Sequence, residues 1–205
     1  VNRITPDAFR HVEDAFIAFC HQAGYEAGRK DVAREDPAYR AAIVRTRSWE
    51  RNAFDTYAVL PPGRIAFFDQ KSVVDRNGGT GYASIELRAI RGGLMSGTDV
   101  PSFFVRPPDW TWISAREALG RRSYRGGCCD DDYNLAVDDR WDDLPEKCAD
   151  QWFRGSGDPW IKVPVGVFKP WDFLLKLMYL PKDLRVRMEV LDEADMRRYI
   201  GDWTP

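Results

Sequence analysis

At Tyr57 the hydrophobic period of the chain changes from about 3.6 residues to 2, and this change limits what the chain can fold into. Before it, residues 5 to 23 read as an amphipathic helix. Thr5 suits the N-cap, Pro6 the first helical position, and Phe9, Val12, Phe16, Phe19 and Cys20 recur at helical spacing until Gly24. A second helix is expected from Asp36-Pro37 toward Trp49, with Tyr39, Ala42 and Ile43 on one side and Arg40, Arg45 and Arg47 on the other. The run GRKDVARED between them is polar and in part helical in character.

From Tyr57 onward, YAVL, RIAFFDQKSVV and YASIELRAI read as two or three strands of a meander, with turn signals at Pro61-Pro62-Gly63 and NGGTG. In the last of them Ile85, Leu87 and Ala89 face one way and Glu86 and Arg88 the other, as in a sheet with one covered face. Residues 91 to 127 are dense in glycine, proline and aromatics. There SFFV suits at most an edge strand, and Ser114 to Glu117 matches a capping box opening a short helix. A further short helix is expected at about 144 to 153. In the last third Ile161, Val163, Val165 and Val167 alternate as a strand, and Trp171 to Leu180 form an amphipathic helix. Leu184, Val186, Met188 and Val190 alternate as a second strand, and Asp192 caps a final helix reaching Ile200. This order predicts an α+β fold, a mainly antiparallel sheet packed against N-terminal and C-terminal helices, and not repeated βαβ units.

Residues 1–205 are expected to form one domain, since this length buries a substantial core without metals or disulfides. The formal net charge of −2 gives no global attraction to a polyanion. It is unevenly spread: residues 128 to 150 hold nine carboxylates and two basic residues, net −7, which leaves +5 on the rest of the chain. Cys20 falls in the apolar register of the first helix, no Cys-x-x-Cys spacing occurs, and His11 and His21 do not share a helix face. A structural zinc site is therefore not expected. No run of about 18 apolar residues and no signal-peptide layout is present, so no membrane partner and a cytoplasmic location are expected.

Three function classes fit these residues. The one that asks least is a binding or protein-interaction role. It uses the acidic segment 128–150 and its flanking aromatics, namely Asp130, Asp131, Asp132, Tyr133, Asp138, Asp139, Trp141, Asp142, Asp143 and Trp152. Such a surface favours a partner protein with a basic face, and it needs no cofactor. The segment is not an EF-hand, because Leu135 stands where glycine is required and Trp141 where a bidentate glutamate belongs.

The second class is catalytic and rests on Glu50, Asp55, Asp69 and Lys71. Asp69-Gln70-Lys71 is an Asp-x-Lys motif that would put the carboxylate and the amine on one face of a strand. Asp55 precedes it by thirteen intervening residues, and Glu50 lies near the end of a helix. The pattern resembles that of metal-dependent nucleases of the restriction-endonuclease type. That resemblance implies a divalent ion, Mg²⁺ or Mn²⁺, on Asp55 and Asp69, a lysine that orients the attacking water, and nucleic acid as partner. A third class is a small-ligand binder with a pocket lined by some of the 27 aromatic residues.

Overall fold

The computed structural model describes residues 6–29, 54–71, 81–86, 89–90, 100–120 and 160–204. Helix α1, Pro6–Gln22, ends at Gly24, whose φ of 81° suits the residue without a Cβ. Strand β1, Glu26–Arg29, follows directly and pairs antiparallel with β2, Thr56–Leu60. β2 turns through Pro61, Pro62 and Gly63 into β3, Arg64–Gln70. Gly63 has φ 99° and its N–H donates to the Leu60 carbonyl at 2.8 Å, so the turn closes with the left-handed residue that the hairpin needs.

β4, Tyr82–Glu86, stands apart from this meander. β5, Ser102–Arg106, runs parallel to β3, and β6, Thr111–Ser114, returns antiparallel beside β5. The main sheet therefore has the order β1-β2-β3-β5-β6. Helix α2, Ala115–Gly120, opens straight from β6. β7, Trp160–Pro164, pairs antiparallel with β4 in a second, two-stranded sheet. A 3₁₀ turn at Val165–Val167 leads to helices α3, Trp171–Tyr179, α4, Lys182–Met188, and α5, Glu193–Ile200. The result is a mixed, mostly antiparallel sheet flanked by N- and C-terminal helices, an α+β fold.

Strand alternation divides the core into two layers. On one face of the main sheet Phe16 and Cys20 of α1 pack on Ala58, Leu60, Ala66, Phe68, Phe103, Val105 and Trp112, together with Phe173 and Leu177 of α3 and Met196 of α5. Aromatic contacts knit this layer: Phe16 lies 4.9 Å from Phe68 and 5.1 Å from Trp110, centroid to centroid. On the other face Tyr57, Phe67, Phe104 and Ile113 meet Ala83 and Ile85 of β4 and Ile161 and Val163 of β7. Burying both faces explains why β3 and β5 read as nearly continuous apolar runs.

One polar cluster is sealed into this body. The Lys169 ammonium, fully buried, contacts the Glu117 carboxylate and donates to the Leu191 carbonyl at 3.1 Å, and it lies 4.4 Å from the centre of the Trp112 ring. Ser114 caps α2 by accepting from the Glu117 N–H at 3.1 Å, while its own hydroxyl donates to the Glu189 carbonyl at 3.1 Å. The N-cap half of the expected capping box is present, and the Glu117 side chain is turned to Lys169 instead of back to the cap.

Several expectations are corrected. The segment around Leu184 is helix α4: Arg185 is buried and Leu184 and Val190 are exposed, the reverse of what a strand with its apolar side inward would give. Val165 and Val167 lie in a 3₁₀ turn beyond the end of β7. Within YASIELRAI the described strand is Tyr82–Glu86, Ala89 and Ile90 are helical, and the strand's partner is β7, so the third strand of the meander is β1 instead. SFFV is an inner strand, because its ladder needs no N–H from the neighbouring prolines 101, 107 and 108; Pro101 accepts from the Phe67 N–H at 2.9 Å. The expected helices at 36–49 and about 144–153 lie outside the described residues. Among the described residues no helix is long and apolar enough to cross a membrane.

Candidate active site

The β2–β3 ladder runs from Leu60 opposite Arg64 to Thr56 opposite Phe68. One further step places Asp55 opposite Asp69 at the open end of the hairpin. Along β3 the residues Ala66 and Phe68 face the helical layer, while Ile65 and Phe67 face the second sheet. Asp69 therefore projects toward the second sheet, at the end of its strand.

Lys71 follows just beyond the strand, still tied to the sheet by its N–H, which donates to the Val105 carbonyl at 2.8 Å. Its ammonium is 2.7 Å from Asp69 Oδ2, directly contacts Glu86 at the end of β4, and lies 5.5 Å from the centre of the Phe104 ring. Asp69 and Lys71 thus share one face, as an Asp-x-Lys strand requires. The second sheet adds a carboxylate from outside the motif.

Gln70 points to the opposite face and braces the hairpin from behind. Its Nε2 donates to Thr56 Oγ1 at 2.5 Å, and the Thr56 hydroxyl donates to the Phe68 carbonyl at 3.2 Å. These bonds fix the start of β2 against the end of β3, and with them the positions of Asp55 and Asp69.

Asp69 is only 7 % exposed and Lys71 8 %, so neither charge has enough water to stand alone. Burial pushes the Asp69 carboxyl up to about 7, with Lys71 pulling it down and Glu86 and Asp55 pushing it further up. Burial also works against the Lys71 charge, but the Asp69 and Glu86 carboxylates outweigh it and hold the amine above the ordinary lysine range. Glu86, half exposed, is pulled below its usual value by Lys71 against the effect of burial. Asp55 is exposed, at the solvent side of the group.

α1 reaches the same end of the sheet through Glu13. Burial raises the Glu13 carboxyl and the Asp55 charge raises it further, against the pull of Arg29, whose Nε is 3.0 Å from Glu13 Oε2. Arg29 also donates to Asp14 Oδ1 at 2.7 Å, at the end of β1 that pairs with Thr56.

Of the residues singled out in the sequence, Asp55, Asp69 and Lys71 come together. Glu50 lies outside the described residues, as do Asp130, Asp131, Asp132, Tyr133, Asp138, Asp139, Trp141, Asp142, Asp143 and Trp152. Glu86 and Glu13 were not singled out by sequence. Nothing local marks them, because their neighbours are set by the pairing of β4 with β7 and by the packing of α1. Many of the described aromatics, among them Trp110, Trp112 and Phe103, are core residues.

Among the described residues no set of three or more His, Cys, Asp or Glu side chains is arranged to hold a metal ion. Magnesium and manganese do not require such a cage, since one or two carboxylates, water and substrate phosphates complete their shell. Asp55 and Asp69 fit that mode: both offer hard oxygen donors, one is buried and one is open to solvent.

The chain matches no protein-family model, no curated protein and no solved structure.

Proposed function

We propose that this protein is a metal-dependent phosphodiesterase of the nuclease type, with Asp55 and Asp69 as the carboxylates for a divalent ion and Lys71 as the amine beside the reacting phosphate. The observation that carries this reading is the register of the hairpin: Asp55 stands opposite Asp69 one step beyond the last paired residues, and the Lys71 ammonium lies on the same face as Asp69. Chance pairing of charges on an exposed strand would leave them in water. Here the Asp-x-Lys pair is buried at the rim of two sheets, and Glu86 brings a second carboxylate to the Lys71 ammonium.

A bound divalent ion would polarise a phosphodiester oxygen and lower the pKa of water at the site. The chain's own share is positional. Asp69 is held by the ladder and by the Gln70 to Thr56 brace, and Asp55 leaves the open side for water and substrate. Lys71 is kept charged by two carboxylates, so it can donate hydrogen bonds to a phosphate oxygen or orient a nucleophilic water. Glu86 would keep Lys71 in reach if Asp69 held an ion.

The test is calorimetric titration with Mn²⁺ together with a cleavage assay on DNA and RNA, in wild type, Asp69→Asn and Lys71→Met. Stoichiometric Mn²⁺ binding that Asp69→Asn removes, and cleavage that both variants remove, is the expected result. Lys71→Met should keep Mn²⁺ binding. A folded wild type that neither binds Mn²⁺ nor cleaves any nucleic acid overturns the reading.

A further inference from the structure

β5 ends at Arg106, and the parallel ladder places that end beside the Asp-x-Lys motif. Asp69 pairs with Phe104 and Gln70 with Val105, so the next step sets Lys71 level with Arg106. The Lys71 N–H to Val105 carbonyl bond shows the two chains still coupled at that point. Phe104 faces the second sheet and lies beside the Lys71 ammonium. Arg106, two residues on and still paired with Thr111 of β6, projects to that same face. Neighbouring strands are about 4.8 Å apart, so the Arg106 backbone stands beside that of Lys71, on the sheet face that carries the site.

Its environment is unlike that of the other half-buried or buried arginines described. Arg29 pairs with Glu13 and Asp14, Arg64 donates to the Leu180 carbonyl at 2.6 Å, and Arg185 lies 3.5 Å from Glu189. Arg106 is half-buried, its Nε is shielded from solvent without a hydrogen-bond partner, and among the described residues no carboxylate pairs with it. Burial pushes its pKa downward. A guanidinium stays charged in such a place, so the position carries a desolvation cost that no ion pair among the described residues offsets.

We infer that Arg106 binds a phosphate of the nucleic-acid backbone, next to the phosphate that Asp55, Asp69 and Lys71 address. The planar fork of a guanidinium matches two phosphate oxygens, and an incoming polyanion supplies the missing counter-charge. The inference rests on the phosphodiesterase reading and adds to it the residue that takes hold of the substrate. Arg106 is a substrate-binding group, and metal binding does not depend on it.

The test uses fluorescein-labelled DNA and RNA duplexes, with binding followed by anisotropy across a salt series in the Asp69→Asn background, which stops turnover. Arg106→Gln should weaken binding about tenfold and lower the slope of log K against log salt by about 1. Arg106→Lys should restore the slope and only part of the affinity, because the charge returns without the fork. In the otherwise wild-type chain Arg106→Gln should leave the Mn²⁺ isotherm unchanged. Unchanged affinity and slope in Arg106→Gln overturn the inference while leaving the nuclease reading intact. Loss of Mn²⁺ binding along with nucleic-acid binding makes Arg106 a scaffold residue and also overturns it. If wild type shows no cleavage and the Asp69→Asn chain binds no duplex, the nuclease reading falls, and this inference with it.

Discussion

The Gln70 amide donates to the Thr56 hydroxyl at 2.5 Å, on the face of the β2–β3 hairpin opposite to Asp69 and Lys71. Both side chains are buried, and the bond joins the residue after Asp55 to the residue after Asp69. Thr56→Val removes the hydroxyl at nearly constant shape and leaves the Gln70 amide buried without its acceptor. A loss of about 1–3 kcal/mol in urea denaturation is expected. Mn²⁺ affinity should fall several-fold in the still-folded protein, and Thr56→Ser, which keeps the oxygen, should restore both.

Lys169 and Glu117 form the most deeply buried ion pair among the described residues, with Lys169 over the Trp112 ring. Lys169→Met leaves the Glu117 charge uncompensated in the core and should cost about 3–5 kcal/mol in chemical denaturation. The double variant Lys169→Met/Glu117→Leu removes both charges and should recover most of that loss. A double variant no more stable than the single one would show that the carbonyl contacts of Lys169, and not its charge, dominate.

Glu189 gives stability a defined pH dependence. Burial pushes its carboxyl from 4.5 up to about 7, and the opposing pulls of Arg185, Arg116 and Lys169 do not cancel that shift. The folded state therefore holds this proton more tightly than the unfolded chain. Stability from this group is complete below about pH 4.5 and is lost as pH rises through about 7, by roughly 3 kcal/mol at most. Glu189→Gln should flatten the wild-type decline in unfolding free energy across that window. Parallel curves for the two proteins would contradict this account.

Asp192 caps α5 by accepting from the Asp195 N–H at 2.9 Å. Asp192→Ala should lower the unfolding free energy by about 1 kcal/mol and Asp192→Ser by much less, measured by thermal or urea denaturation. Because α5 buries Met196 and Ile200 against the helical layer, the effect should appear in the global transition and not only in fraying of the C-terminal segment.

What the sequence made legible follows the range of the interactions involved. Pro6, Gly24 and Asp192 mark helix ends through bonds within a few residues, and those ends are where the sequence places them. The β2–β3 hairpin and the shared face of Asp69 and Lys71 follow from strand period and a short turn. β1 was hidden because Glu26, Ala27, Gly28 and Arg29 have no strand preference of their own, and Gly28 is needed where the Tyr57 ring passes close by. β5 was demoted by flanking prolines, but its ladder asks no N–H of them: Pro101 only accepts, from the Phe67 N–H at 2.9 Å. Around Leu184 an alternation of apolar and basic residues also fits a helix, since Arg185 buries its stem and Pro181 sets the helix start. Asp55, Asp69 and Lys71 were readable as a spacing, whereas Glu86, Glu13 and Arg106 reach the site only through pairings distant in sequence.

The ladder between Tyr82 and Pro164 has a kinetic meaning of its own. A hairpin such as β2–β3 closes over a three-residue turn and can form early, while β4 must wait for a strand that is synthesised far later, and closing so long a loop carries a larger entropic cost. On an elongating chain Asp55, Asp69 and Lys71 would therefore be assembled while Glu86 still awaits its seat, so maturation of the site is coupled to the arrival of the C-terminal third.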